Sequence, residues 1–350
     1  MEIIKVEPGE NGASLGLAID VGTTSNVVYL IDLATSKIIS RQGDYNKQCR
    51  YGDDVISRII YATESITGLS DLHNAVVETI NGLVDRAVAE SGYQKEDIVQ
   101  AVIAGNTTMT QLLWNVNPKY IRLEPYIPTF NVIPPFKARD IGLNLHPEAV
   151  AISFPQVASY VGGDIVAGAL FTRIAHKDET TLFIDIGTNG EMVLGNKDWL
   201  VSCACSAGPA FEGGGISQGM RATAGAIEKV DIDPLTYEVT LGTVKNLPPL
   251  GICGSGLIDA LSELLQAGII DRAGKFQADI QSHRLRQGEE SLEFVLAWEK
   301  DAGVNHDIVI TEADVKNLLR AKAAIFAGIR TMLQLVEMKV SQIDKVIIAG

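Results

Sequence analysis

One short phrase occurs twice in this chain of 350 residues: Leu17-Ala18-Ile19-Asp20-Val21-Gly22-Thr23-Thr24 returns as Leu182-Phe183-Ile184-Asp185-Ile186-Gly187-Thr188-Asn189. In each copy an apolar strand (Leu15 to Ile19; Thr181 to Ile184) runs into Asp, one aliphatic residue and Gly. A second apolar strand follows at once (Asn26 to Ile31; Glu191 to Leu194). Two apolar runs around a polar, glycine-containing turn describe a β-hairpin. A single Asp-x-Gly is ordinary turn punctuation. An Asp, a Gly and a Thr that recur in order after matching strands instead indicate two related halves.

Glycine lets each turn fold tightly, so that successive N–H groups of Gly22, Thr23 and Thr24, or of Gly187, Thr188 and Asn189, can point at one anion, with the threonine hydroxyls as further donors. Two such turns facing each other would hold a polyphosphate from both sides. Asp20 and Asp185 would repel a bare phosphate unless a hard divalent cation and its waters stood between. The repeat therefore predicts a Mg2+-nucleotide, with Asp20 and Asp185 as the metal-associated carboxylates.

Between the hairpins the chain alternates in the manner of an α/β fold. Strands are expected at Leu15–Ile19, Asn26–Asp32 and Lys37–Arg41, then helices over about Asp53–Glu64 and Ser70–Ser91, the second with Ser70 as N-cap. The apolar strand Ile98–Ala104 leads into Gly105-Asn106-Thr107-Thr108 and another helix. Seven prolines from Pro118 to Pro155 indicate ordered loop and short strand, a place for family-specific surface. After the second hairpin, Gly254–Ala267 reads as a helix whose first turn, Gly254-Ser255-Gly256, suits either an anion or ribose site or a close-packed turn. Thr311 and Asp314 open the clearest helix with a capping box, and Leu318, Leu319, Ala323, Ile325 and Ile329 mark its apolar face. Residues 1–14 read as a linker remnant, 15–178 as a first half and 179–350 as a second.

The twin hairpins resemble the two phosphate motifs of the actin, heat-shock chaperone ATPase and sugar kinase superfamily. Val346-Ile347-Ile348-Ala349-Gly350 matches the strand that this superfamily places near the adenosine, up to its last residue. The resemblance implies two ribonuclease H-like, actin-like halves with a nucleotide cleft between them, ATP in that cleft, Gly350 near the adenosine and Asn106 near the γ-phosphate. Because a further glycine and a helix follow that strand in the superfamily, the resemblance also implies a further C-terminal portion.

Within the superfamily an ordered set of stretches is similar to the ATP-dependent reductive activators of corrinoid proteins: Tyr51 to Ile59, Gly105 to Met109, Tyr160 to Asp164, Ala207 to Gly213, Gly219 to Ala222 and Gly251 to Asp259. What this implies is a protein that couples ATP to returning an inactive Co(II) corrinoid to Co(I) in a methyl-transfer system, with a corrinoid protein as partner. Such activators carry a ferredoxin-like domain with a [2Fe-2S] cluster. The plant-type spacing Cys-x4-Cys-x2-Cys is absent, since the cysteines are Cys49, Cys203, Cys205 and Cys253. The cluster and the route to the electron donor are therefore expected in a domain missing from this chain or in a separate polypeptide.

Other candidates admit two readings. Glu212, before Gly213-Gly214-Gly215, can orient water or simply pack a turn, and Asp164, after Gly162-Gly163, can cap a helix or serve catalysis. Cys203 and Cys205 point to one face of a strand and read as buried cysteines rather than metal ligands. The five histidines fall in no matched motif and are expected at surface or loop positions. A formal charge of −14 argues against nucleic-acid and anionic-membrane partners, which need a basic stripe. The absence of a long apolar run or signal-like segment makes a cytoplasmic location the expectation. A homodimer is left open. The expected mechanism is closure of the cleft on ATP and Mg2+ and reopening on hydrolysis or release. A small-molecule kinase, with Asp164 as base, and a non-enzymatic nucleotide switch or assembly module are the alternatives.

Overall fold

The computed structural model describes residues 14–350, so nearly all of the expected linker, 1–14, lies outside the described residues. The chain divides into two compact units, one reaching to Phe183 and including Val193–Ser202, the other comprising Ile184–Met192 and Cys203–Gly350.

The first unit is built on a six-stranded mixed sheet. Strands β1 (Leu15–Val21), β2 (Ser25–Asp32) and β3 (Lys37–Tyr45) form an antiparallel meander. Strand β4 (Ile98–Gly105) pairs parallel with β1, and after β5 (Phe136–Lys137) the chain adds β6 (Val150–Ser153), parallel to β4. The order is β3-β2-β1-β4-β6-β5. The central strand β1 buries Leu15, Leu17, Ile19 and Val21, alternate residues that share the face of the sheet packed into the core. Helix α1 (Val55–Glu64) starts with a capping box between Asp54 and Ser57, two residues later than expected. Helix α2 (Gly68–Ser91) lays Leu72, Val76, Ile80, Leu83 and Ala87 onto the sheet at helical spacing, each wholly buried. Complete burial of such a side chain stabilises by about 1.5–3 kcal/mol.

The expected N-cap of α2 is corrected. The helix begins two residues before Ser70, with Thr67 at the cap position. The Ser70 hydroxyl donates to the Thr67 carbonyl at 2.7 Å instead of accepting from the backbone. Gly68 permits the early start, because a Cβ there would stand 2.1 Å from the Tyr61 carbonyl oxygen. Helices α3 (Thr107–Leu113) and α4 (Gly163–Thr172) complete the unit. The proline-rich stretch is loop, short 3-10 turns and the strands β5 and β6.

The second hairpin is β7 (Thr181–Ile186) with β8 (Gly190–Gly195), followed by β9 (Leu200–Cys205). Two small sheets come next. One joins β10 (Ala226–Ile232), β11 (Val239–Thr243) and β12 (Gly251–Ile252), which leads into α5 (Gly254–Gln266). The other is an antiparallel meander of β13 (Leu285–Gln287), β14 (Leu292–Ala297) and β15 (Ile308–Thr311). Helix α6 (Glu312–Leu335) opens with the expected Thr311–Asp314 capping box and returns the chain to β16 (Lys345–Ala349), beside β7 in the order β16-β7-β8-β9.

Candidate functional site: two three-residue turns

Both copies of the repeated phrase are three-residue turns between paired strands, Gly22–Thr24 linking β1 to β2 and Gly187–Asn189 linking β7 to β8. In the first unit the turn is held from behind by Asn46. Its amide donates to the Gly22 carbonyl at 2.9 Å, and its backbone N–H donates to the Thr24 carbonyl at 2.9 Å. The Cys49 sulfur lies 3.9 Å from the Thr23 carbonyl oxygen. A trans peptide sends its C=O and N–H to opposite sides, so the N–H groups of Thr23 and Thr24 turn away from this support. That is the orientation an anion-binding turn needs. Asn106, the N-cap of α3, accepts from Met109 N–H at 2.9 Å and donates through Nδ2 to the Thr23 hydroxyl oxygen at 3.0 Å. Thr23 keeps its own hydroxyl proton for an incoming acceptor.

In the second unit the equivalent hydroxyl does something else. Thr188 donates to a carboxylate oxygen of Glu212 at 2.6 Å, so the proton expected to face a phosphate is directed at Glu212. The backbone of the turn is fixed by Gly187 N–H to the Asn189 carbonyl and by Gly208 N–H to the Thr188 carbonyl, both at 3.0 Å. Glu212 ends a 3-10 turn, Pro209–Glu212, closed by Gly213 with φ 81°.

The two glycines also differ. A Cβ on Gly22 would stand 2.4 Å from the Ser25 carbonyl oxygen, so the turn itself excludes a side chain. A Cβ on Gly187 would meet nothing nearer than 3.7 Å, and its φ lies outside the left-handed region. The fold leaves this position free for a side chain, as expected of a glycine kept for a ligand's close approach.

The paired aspartates sit in unlike surroundings. Asp20 is exposed, whereas Asp185 is half-buried and burial pushes its carboxyl above the ordinary carboxylate range. A carboxylate held partly out of water without a resolved cationic influence is the donor expected for a cation that arrives with a ligand, so the fit to Mg2+ is good on this side. Among the described residues no three His, Cys, Asp or Glu side chains form a metal-binding group. The remaining ligands would be phosphate oxygens and water.

Gly350 follows β16 with φ 120°, and a Cβ there would fall 2.1 Å from the Ile186 carbonyl oxygen, immediately before the second turn. The superfamily-like strand is thus brought onto the hairpin by sheet pairing. Gly254 and Gly256 have packing reasons of their own, since a Cβ would meet the Phe211 carbonyl at 1.9 Å or the Ile227 carbonyl at 2.1 Å. Ser255 Oγ lies 3.3 Å from Cys253 Sγ. Asp164 stands in the first turn of α4 and accepts from Ile165 N–H at 2.8 Å.

Cys203 and Cys205 are half-buried, and burial pushes both thiols up, Cys205 to about 11, which makes them poor thiolate donors. Cys49, beside the first turn, and Cys253, at the start of α5, lie on other elements. The four do not fit an iron–sulfur cluster. The surface-or-loop expectation is corrected for His73, which lies half-buried on α2 with Nδ1 2.8 Å from the Leu113 carbonyl oxygen. Asn46 was not among the sequence candidates, and only its position after β3, distant in sequence from the turn, makes it a partner of Gly22. A cavity of about 840 Å³ beside His283, Trp298 and Asp307 contains none of the hairpin residues.

The comparison with known families and proteins decides the affiliation. Residues 15–177 match the RACo middle region, and residues 179–350 match the C-terminal domain of RACo, the ASKHA domain. The chain belongs to the RACo family. It is 34% identical over 346 residues to the corrinoid activation enzyme RamQ of Eubacterium limosum, a match covering 96% of this chain and 57% of that protein. It is 27% identical over 291 residues to a Co(II) methylated amine-specific corrinoid protein reductase of Methanosarcina barkeri, covering 74% of this chain and 52% of that protein. The solved structure of a reductive activator for a corrinoid, iron-sulfur protein superposes with a TM-score of 0.94 at 57% identity, covering 98% of this chain and 55% of the other. The chain thus spans a little over half the length of these relatives. RACo membership makes the fold that of the actin-like ATPases, a nucleotide-binding architecture.

Proposed function

We propose that this chain is the ATP-binding and ATP-hydrolysing part of a cytoplasmic reductive activator that drives Co(II) to Co(I) reduction in a corrinoid protein. The observation that carries the reading is the pair of three-residue Gly-Thr turns, in a chain matched along its length by the two RACo regions. The N–H groups of Thr23, Thr24, Thr188 and Asn189 and the Thr23 hydroxyl bind phosphate oxygens, and Asp20 and Asp185 hold Mg2+ through water. When bound, Mg2+ neutralises charge on the phosphates. Asn106 fixes the Thr23 hydroxyl, Glu212 orients the second turn through Thr188, and Gly187 leaves room for the phosphate at the backbone. Donors placed in advance around developing charge are the main contribution such a site makes to phosphoryl transfer.

The use of ATP follows from energetics. Each 100 mV of uphill one-electron reduction costs about 2.3 kcal/mol, so a gap of a few hundred millivolts is beyond a ferredoxin-like donor acting alone. A nucleotide shifts a partner between states only through differential affinity. The ATP form must therefore hold the corrinoid protein differently from the ADP form. The electron enters from a ferredoxin-like domain or a separate donor, because the cysteines here do not fit a cluster. Calorimetry with Mg2+-ATP should show saturable heat, and Asp185→Ala should abolish nucleotide-dependent activation of a corrinoid protein. Full activity in that variant would reject the assignment.

A further inference from the structure

The proline-rich part of the first unit forms a ledge that the site chemistry leaves unexplained. Segments 117–136 and 154–163 together carry six prolines and only three charged side chains, Lys119, Arg122 and Glu124, in a chain of formal charge −14. They also display large apolar groups to solvent: Tyr120, Tyr126, Ile127, Val132 (71% exposed) and Val157. Two hydrogen bonds join the two segments. The Asn131 carbonyl accepts from Gln156 N–H at 2.7 Å, which sets Val132 near Val157, and the Tyr126 carbonyl accepts from the Ser159 hydroxyl. Thr129 Oγ1 donates to the Asn117 carbonyl at 3.4 Å and ties the loop back on itself. Aromatic enrichment, charge depletion and a stiff backbone are the marks of the centre of a protein interface. Lys119 and Arg122 form no ion pair among the described residues.

The ledge is joined to the first phosphate turn from behind. Thr107 Oγ1 donates to the Ala158 carbonyl at 2.6 Å. A Cβ on Gly162 would stand 2.4 Å from Cα of Asn106, the residue that holds the Thr23 hydroxyl. A shift of Asn106 when a phosphate engages Thr23 would be passed to segment 156–162 through close packing and one hydrogen bond. We infer that this ledge docks the corrinoid protein, through a surface that is apolar at its centre and acidic at its edge, facing Lys119 and Arg122. The inference rests on the reading given under Proposed function and adds to it the place where the partner binds. Two unpaired cations on a charge-poor patch are where an acidic partner meets least repulsion from a molecule of net charge −14.

The test uses three exposed substitutions, Tyr126→Asn, Val132→Asp and Val157→Asp, in the full-length protein, with a purified Co(II) corrinoid protein as probe. Asparagine suits residue 126, whose φ is 60°. Melting temperature and Mg2+-ATP binding should stay unchanged, while the corrinoid-protein concentration giving half-maximal activation rises at least tenfold for each variant. Lys119→Glu should weaken docking most at low salt. Unchanged half-maximal concentrations in all three variants would overturn the ledge while leaving the proposed function standing. If the unaltered protein neither binds nor activates any corrinoid protein, that reading fails and the ledge with it. Loss of self-association in the variants, with corrinoid activation intact, would assign the ledge to a second copy of this chain and overturn the inference.

Discussion

At the scale of single residues, the twin turns have matching sequence and unequal environments, and the inequalities can be tested. Gly22 is required by its own turn and Gly187 is not. Gly22→Ala should lower stability by about 1–3 kcal/mol through the clash with the Ser25 carbonyl. Gly187→Ala should keep the melting temperature and weaken Mg2+-ATP binding, and a variant that binds normally would remove the ligand-based reason for that glycine. Asp185 allows a second test. Burial raises its carboxyl above the ordinary value of 3.8, so the folded state holds the proton more tightly than the unfolded chain. The cost of ionising it is absent well below that value and grows as pH rises through it. Asp185→Asn should therefore melt higher than the unaltered protein at neutral pH, with the difference vanishing in acid. Mg2+-ATP should reverse the order, since only the carboxylate gains from the cation. Equal melting profiles at every pH would show that the burial carries no cost. The aspartates, glycines and threonines of the turns were legible in the sequence because the phrase repeats. Their supports, Asn46 behind Gly22 and Glu212 beneath Thr188, were not paired with them, because each joins segments 24 residues apart that only the folded backbone brings together.

Among the elements, those whose ends carry their own chemistry were the most readable. Helix α6 begins where Thr311 and Asp314 indicate, and Asp314 does more than cap. It is buried and accepts from Ser217 N–H at 2.8 Å and Ser217 Oγ at 3.1 Å, as well as from Thr311 N–H and Oγ1. Asp314→Ala should therefore cost about 2–3 kcal/mol, because several donors lose a charged acceptor. Thr311→Ala should cost about 1 kcal/mol, the usual loss of an N-cap. Thermal melts would separate the two, and equal losses would mean that the Ser217 contacts contribute nothing. Helix α2 shows why boundaries elsewhere were missed. A serine near a helix start signals a cap only when its oxygen faces an N–H, and Ser70 instead donates to Thr67 while Gly68 extends the helix over the Tyr61 carbonyl. The glycines of Gly254-Ser255-Gly256 likewise meet packing needs whether or not a ligand is present. The alternation of strands and helices was readable from apolar periodicity, but sheet order was not, since β1 pairs with the neighbouring β2 and also with β4, whose Gly105 lies opposite Val21.

For the molecule as a whole, RACo membership rests on both halves of the chain and the actin-like ATPase fold on the superposition with a reductive activator, while the coupling of nucleotide to cobalt is the proposal. Among the described residues no helix is long and apolar enough to cross a membrane. The most direct measurement of the central claim is the absorbance of a Co(II) corrinoid protein, followed anaerobically with the full-length activator, a low-potential reductant and Mg2+. With ATP, the Co(I) spectrum should grow in at substoichiometric activator, and with no nucleotide or with Asp185→Ala it should not. Formation of Co(I) at the same rate and extent without ATP would contradict the account.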